Sequence, residues 1–223
     1  VDSMPVNSSW FVGSVKYKMP QVAKRKNFQL QVILLNPEGK QIHENEFDFT
    51  VFPQLKPITP SAYNLGKIKK TDTLLSEAKA RITPNPAEAG VIIITDFLEY
   101  QAQKERINRL VFQGATALFL NLPGGEYTIA HSTVNIKPTN MGQYYFVSPM
   151  TDHRLVKSFY PKDFWLWFDD KTEMIEPILK NTVRAPGWSA ILSSVETNWE
   201  KTGGTVMAAA EMKYGKGHFR ICE

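Results

Sequence analysis

One uninterrupted apolar run constrains the fold of this chain most. "GVIIITD", from Gly90 to Asp96, is rich in β-branched residues and carries no charge before its final aspartate. Such a run predicts a strand that is buried on both faces, as strands of parallel sheets are. "QAQKERINRLVFQG" follows with apolar residues at helical spacing and Gly114 as its C-terminal stop. "ATALFLN", from Ala115 to Asn121, is the next buried strand, so the pattern predicts a right-handed β-α-β unit.

The rest of the C-terminal part also contains predicted helices and strands. Helices are predicted over 71–80, which has a cap-like start, and more weakly over 172–181. Further strands are predicted over 144–148, 188–194, 205–214 and 218–222, and a Gly-Lys-Gly turn joins the last two as a hairpin. We therefore expect an α/β domain whose sheet is mostly parallel and flanked by helices.

The N-terminal part is predicted to contain strands only. Two strands are predicted over 27–36 and 41–52, joined by the turn "NPEGK". In the second strand, Phe47, Phe49 and Val51 alternate with polar residues, as in a half-buried antiparallel strand. "SWFVGSVKY" is a third candidate strand, but a β-sandwich has about seven. We therefore expect a partial immunoglobulin-like β-sandwich over 1–53, a proline-rich linker over 54–64 and the α/β domain over 65–223.

Composition and charge exclude several classes of function. The net charge of +4 is scattered along the 223 residues, whereas a nucleic-acid interface needs a basic stripe with interleaved aromatic residues. The longest apolar run is far shorter than the roughly 20 residues that span a bilayer, so we expect no membrane insertion. Cys222 is the only cysteine, and the four histidines lack ligand spacing. We predict no disulfide, no metal site and no cofactor.

Six stretches together carry a resemblance to a known family: "ENEFDFTVFP", "VIIITD", "LVFQGATALFLN", "DFWLWFDD", "APGWSAIL" and "AEMKYGKGHFRIC". They resemble the C-terminal accessory region of bacterial glycoside hydrolase family 2 proteins, the β-galactosidase and β-mannosidase-like group. There, an α/β module similar to class I glutamine amidotransferases, with a flavodoxin-like sheet, follows an immunoglobulin-like module. The resemblance implies a parent enzyme that cleaves O-glycosidic bonds.

The resemblance also implies a partner and a cellular location for the chain. The partner would be the catalytic barrel of the same parent polypeptide, and the location would be periplasmic or secreted. Because the chain ends on the strand "HFRIC" and opens with too few strands, we expect it to be an excised piece of that parent. An oligosaccharide ligand and a homo-oligomer stay open as further partners.

No residue of this chain meets the requirements of catalysis. Cys222 lies inside a predicted strand without the glycine-flanked elbow and neighbouring base that an activated nucleophile needs. Asn45-Glu46 matches the dipeptide that holds the acid/base glutamate in the family, but Glu46 is predicted on the outer face of a sandwich strand. We therefore predict a non-catalytic accessory module. A free-standing α/β hydrolase or transferase is the alternative that a nucleophile and base in one cleft would support.

A carbohydrate-binding module is the other alternative. "SFYPKDFWLWFDD" concentrates aromatic rings, and exposed Trp165 and Trp167 could stack on sugar faces with Asp169 as a polar partner. The same rings would equally fill a core or dock on another domain. If a small-molecule site exists, the carboxyl ends of the parallel strands are its expected place, which points to Asp96 and Asn121.

Overall fold

A computed structural model describes residues 14, 16–54, 56, 60–66, 69–143, 153–157, 159–160, 163, 168–169, 174–175, 179–198 and 201–223. The chain divides into two compact units, Val1–Lys56 and Pro57–Glu223. The division falls within the segment 54–64 that the sequence assigns to a linker. Residues 62–64 of that segment belong to the first strand of the second unit.

The first unit is built on one antiparallel hairpin. Strands β1 (Lys26–Leu35) and β2 (Gln41–Val51) confirm the two strands predicted there. Their register places Phe28 opposite Phe49, with ring centroids 5.6 Å apart, and Leu30 opposite Phe47. One face of the hairpin is therefore apolar, and the other carries polar side chains. The third candidate strand, over 9–17, lies mostly outside the described residues.

The second unit contains the remaining elements. In chain order they are β3 (Ala62–Leu65), α1 (Lys69–Glu77), a 3-10 turn (Pro86–Glu88), β4 (Val91–Ile94), α2 (Phe97–Ala102), α3 (Lys104–Gln113), β5 (Thr116–Leu120), β6 (Gly125–Ile129), β7 (Ser132–Gln143), β8 (Phe168–Asp169), β9 (Met174–Ile175), β10 (Leu179–Arg184), β11 (Ser189–Asn198), β12 (Lys201–Tyr214) and β13 (Gly217–Cys222).

These strands form one curled mixed sheet and a small separate pair. The order in the large sheet is β3-β4-β5-β13-β12-β10-β7-β6, with β11 also paired to β12, while β8 pairs with β9. The pairings from β3 through β4 and β5 to β13 are parallel. All the other described pairings in this sheet are antiparallel. The predicted β-α-β unit is confirmed as β4, α3 and β5.

The predicted fold class is wrong. The chain is mostly β, with a curled mixed sheet and few helices, and is not a helix-flanked α/β domain of the amidotransferase or flavodoxin-like kind. Strands β6, β7 and β10 account for much of the difference, since none of them was expected. The helix predicted over 172–181 is wrong where the structure describes it, because Met174–Ile175 and Leu179–Asn181 lie in strands. Pairing of β10 with β7 outweighs the weak helical propensity there.

The order in which the chain visits the strands of the sheet reverses around β3. Beyond the outer edge of β3, Ile82 forms an isolated parallel bridge with Ala62, and the chain then returns past β3 to β4. Leu75 of α1 packs against Ile93, whereas α2 and α3 share a core cluster with Ile92 and Ile94. Because successive strand residues point to opposite faces, α1 and the α2–α3 pair lie on opposite faces of the sheet.

Aromatic packing joins the helices to the sheet. Tyr100 of α2 and Phe119 of β5 are fully buried, and their rings meet edge to face with centroids 5.0 Å apart. The Tyr100 hydroxyl donates to Asn108 Oδ1 at 2.9 Å and accepts from the Ala130 N–H at 3.1 Å. Burial raises the pKa of Tyr100 to about 12, so the phenol stays protonated and keeps both hydrogen bonds.

We predict that Gly217→Ala destabilises the second unit. A Cβ at Gly217 would overlap the carbonyl oxygens of Val111 and Ala115, because β13 passes directly against the end of α3. Forcing these backbones apart should cost about 3 kcal/mol in urea unfolding. Gly187→Ala is the matched control: its φ is +80° and no atom lies within 4 Å of the new Cβ. It should lose only about 1 kcal/mol from backbone strain. Equal losses in the two variants would contradict this packing.

Candidate functional site

A polar depression lies at the carboxyl ends of β3 and β4, where the strand order reverses. Its volume is about 280 Å³, and it is bounded by the carboxyl end of β3 and by the segment that follows β4. Parallel strands leave a crevice beyond their carboxyl ends where neighbouring connections go to opposite faces, and ligands of open sheets bind there. The lining residues are Tyr63, Asn64, Leu65, Gly66, Asp96, Glu99 and Gln103.

Close backbone contact forms the depression. Gly66 has a φ of +105°, and a Cβ there would lie 2.7 Å from Thr95 Oγ1 and 3.2 Å from Asp96 Cβ. The Thr95 N–H also donates to the Leu65 carbonyl at 3.3 Å. The turns that follow β3 and β4 are therefore held against each other, and only glycine fits at position 66 without displacing them.

Some polar side chains of the depression already form hydrogen bonds within the chain. Asp96 caps α2, since its Oδ1 accepts from the N–H groups of Leu98 at 2.8 Å and Glu99 at 3.4 Å. Asn64 Nδ2 donates to Asp72 Oδ1 at 2.8 Å. Asn64 Oδ1 is buried and has no hydrogen-bond partner in the described part of the chain, which costs about 1–3 kcal/mol. Gln103 stands at the start of α3, and its side chain makes no capping hydrogen bond.

The depression is therefore rich in hydrogen-bond acceptors. Its lining includes two residues with carboxylates, two with amide groups and one tyrosine. None of the described lining residues is Lys, Arg or His. This arrangement can accept hydrogen bonds from hydroxyl or ammonium groups, and it repels phosphate and carboxylate groups.

The structure places the five predicted sugar-binding residues differently. Asp96 lines the depression. Asn121 follows β5 in the left-handed region, at φ +50°, with an exposed side chain, and its N–H donates to the Cys222 carbonyl at 3.1 Å. It does not line the depression. Asp169 lies in strand β8, and Trp165 and Trp167 lie outside the described residues.

Sequence reasoning missed a buried carboxyl group at Glu223. This residue is only 6% exposed, and its Oε2 accepts from Asn181 Nδ2 at 3.0 Å. Burial raises the pKa of Glu223 to about 7, although hydrogen bonds from Asn181 and the Leu122 backbone act in the opposite direction. The alternation of β13 carried the signal: Phe219 and Ile221 point inward, so the next inward position is 223.

A second missed cluster joins His153 to the sheet. Glu211 and Arg220 form a cross-strand pair between β12 and β13, with Arg220 Nε 2.9 Å from Glu211 Oε2. His153 Nε2 lies 2.8 Å from Glu211 Oε1, and His153 Nδ1 accepts from the Leu155 N–H at 3.3 Å. Burial tends to raise the pKa of Glu211, but the hydrogen bonds from His153 and Arg220 lower it overall. Both imidazole nitrogens are engaged, so the cluster combines the Arg220–Glu211 ion pair with a hydrogen bond from His153.

The single thiol is poorly suited to act as a nucleophile. Cys222 lies in β13, as the sequence predicts, and burial raises the pKa of its thiol to about 11. Since the thiolate is the nucleophile, a thiol with this pKa stays protonated at neutral pH. Among the described residues, no group of three or more His, Cys, Asp or Glu side chains could hold a metal ion.

We predict that Glu223 makes the stability of the chain fall as pH rises. The folded-state pKa lies above the model-peptide value of 4.5, so the folded chain holds this proton more tightly. Protonated Glu223 therefore adds about 3 kcal/mol to the free energy of unfolding. This contribution is complete below the pKa of the unfolded state and is lost as the pH rises toward 7. In urea unfolding between about pH 5 and pH 8, Glu223→Gln should remove this decline. Exposed Glu126→Gln should follow the wild type, and a Glu223→Gln variant with the wild-type pH slope would refute the assignment.

Comparisons with known proteins add little to this geometry. None of the helices in the described residues is long and apolar enough to cross a membrane. No family model matches the chain, and no curated protein matches it significantly. Among solved structures it is similar to "Cytoplasmic Protein STM1381 from Salmonella typhimurium LT2", at 12% identity over 88% of this chain and 84% of that chain, with a TM-score of 0.39. A TM-score this low carries no argument about fold or function.

Proposed function

We propose that this chain is a non-catalytic accessory module of a protein that acts on O-glycosidic bonds, of the kind found in glycoside hydrolase family 2. The resemblance described above supplies the parent enzyme and a periplasmic or secreted location. The observation that carries the accessory role is the exposed apolar face of the β1–β2 hairpin.

That face is made of large apolar side chains on neighbouring strands. Leu30, Leu34 and Phe47 are 52%, 56% and 55% exposed, and the register places all three on the same side of the hairpin. The opposite side is mainly polar, although Ile33 is exposed there. On that side Gln29 Nε2 donates to Glu46 Oε2 at 3.1 Å. Sheets with one apolar and one polar face pack in pairs about 10 Å apart.

An isolated two-stranded hairpin is at best marginally stable in water. Covering its apolar face would supply the missing stabilisation, at about 25 cal/mol for each Å² removed from water. In the proposed parent, the other strands of the immunoglobulin-like module would provide this cover, and the catalytic barrel of the same polypeptide would be the neighbouring partner.

The state of the polar groups agrees with a non-catalytic role. The Cys222 thiol has a raised pKa, both nitrogens of His153 are engaged, and Asp96 caps a helix. A catalytic nucleophile instead needs a base within hydrogen-bond reach in an accessible cleft. The described residues bring no such pair together.

We predict that the purified chain does not hydrolyse nitrophenyl glycosides. A panel covering α- and β-linked galactose, glucose and mannose should release nitrophenol at the uncatalysed rate. A positive control is a family 2 glycosidase in the same buffer. Turnover that disappears when one carboxylate of this chain, such as Glu99 or Glu223, is changed to the amide would contradict the accessory role and favour a free-standing hydrolase.

The reading frame of the gene tests the parentage directly. We expect it to encode a catalytic (β/α)₈ barrel of about 250 residues with two glutamates, N-terminal to this sequence. A frame that encodes these 223 residues alone would refute the proposed parent.

A further inference from the structure

We propose that the depression between β3 and β4 binds a neutral polyhydroxylated ligand the size of one sugar ring. The inference names a ligand class for the candidate site. It rests on the proposed function only in choosing sugars, rather than other polyols, as probes.

The topology gives the first reason. β3 and β4 are neighbouring parallel strands, and the helices that follow them, α1 and the α2–α3 pair, pack on opposite faces of the sheet. The backbone alone creates a crevice at such a point, and there the turn after β4 contributes Asp96. The crevice is thus a consequence of chain path and does not depend on one flexible side chain.

The unused hydrogen-bonding capacity gives the second reason. Gln103 lines the depression at the start of α3, and its side-chain amide makes no capping hydrogen bond there. The Asp96 Oδ1 accepts two backbone N–H groups, which fixes the carboxylate and leaves Oδ2 as an acceptor. A rigid carboxylate beside the Gln103 amide is arranged to form hydrogen bonds with the hydroxyl groups of a ligand.

Charge and size select the ligand class. Asp96 and Glu99 lie in the lining, and none of the described lining residues is cationic, so anionic ligands such as phosphates are disfavoured. A volume of about 280 Å³ is at the low end for ligand pockets, which suits one pyranose ring better than an oligosaccharide. Tyr63 is partly exposed and supplies apolar contact for the ring carbons.

The test is a titration of the full 223-residue chain followed by amide NMR. The probes are galactose, glucose and mannose, with glucuronate as the anionic analogue and glucosamine as the cationic one. We expect at least one neutral sugar to give saturable shifts at the amides of 63–66 and 95–103, with a Kd of about 1 mM. Glucuronate should bind about tenfold more weakly than glucose.

Two variants and one control complete the experiment. Asp96→Asn keeps a helix-capping side chain, and Glu99→Gln keeps the shape of an exposed residue, so both should fold and melt like the wild type. Each should weaken sugar binding about tenfold through loss of a charged acceptor. Glu126→Gln carries the same change of charge outside the depression and should bind like the wild type.

Three results would overturn the inference: no saturable shift with any neutral sugar, shifts that map away from the depression, or binding of glucosamine alone, which would make the site a cation site. None of these bears on the parentage, since the reading frame and the glycoside assay test that separately. A chain from a family 2 parent that binds no sugar would therefore leave the proposed function intact and refute only this site.

Discussion

The pairing of β13 is the interaction on which the second unit depends. This strand runs parallel to β5 on one side and antiparallel to β12 on the other, so it joins the parallel part of the sheet to the antiparallel part. Phe219 and Ile221 are fully buried, and Gly217 allows β13 to pass against the end of α3. Without β13, two short sheets would each expose an edge and an apolar face.

The position of the candidate site follows from the same arrangement. With β5 and β13 fixed at the centre, β4 and β3 extend the parallel part outward, and the chain reverses around β3. The reversal leaves a polar crevice at the carboxyl ends of β3 and β4, and Gly66 lets the two turns touch. The same carboxyl edge carries the buried Glu223 at the end of β13. The candidate site and the buried Glu223 thus both lie where parallel strands end.

The sequence predicted local elements better than the overall fold. The β-branched run of β4, the helix that ends at Gly114 and the hairpin of β12 and β13 were predictable, because local pattern and tertiary environment agree there. Strands β6, β7 and β10 were missed, and their polar residues and Pro138 give little periodic signal. β6 and β7 pair locally as a hairpin, but only the non-local pairing of β7 with β10 joins them to the sheet. These strands turn an expected mostly parallel sheet into a mixed one.

The site was predictable in the same partial way. The rule that ligands bind at the carboxyl ends of parallel strands led to Asp96, because β4 itself was recognised. Asn64 was missed since residues 62–64 of β3 lie in the proline-rich stretch that the sequence assigns to a linker, and Gly66 follows that unrecognised strand. Trp165 and Trp167 lie outside the described residues, so stacking on their rings stays a prediction.

Amide hydrogen exchange on the intact 223-residue chain tests the central claim most directly. The claim is that β13 holds the sheet of the second unit together, whereas the hairpin of the first unit has an exposed apolar face. The account predicts that the amides of Phe219 and Ile221 exchange as slowly as those of β4 and β5, since all belong to one cooperative unit. The amides of β1 and β2 should exchange much faster. Rapid exchange in β13, or protection in the hairpin equal to that of the large sheet, would contradict it.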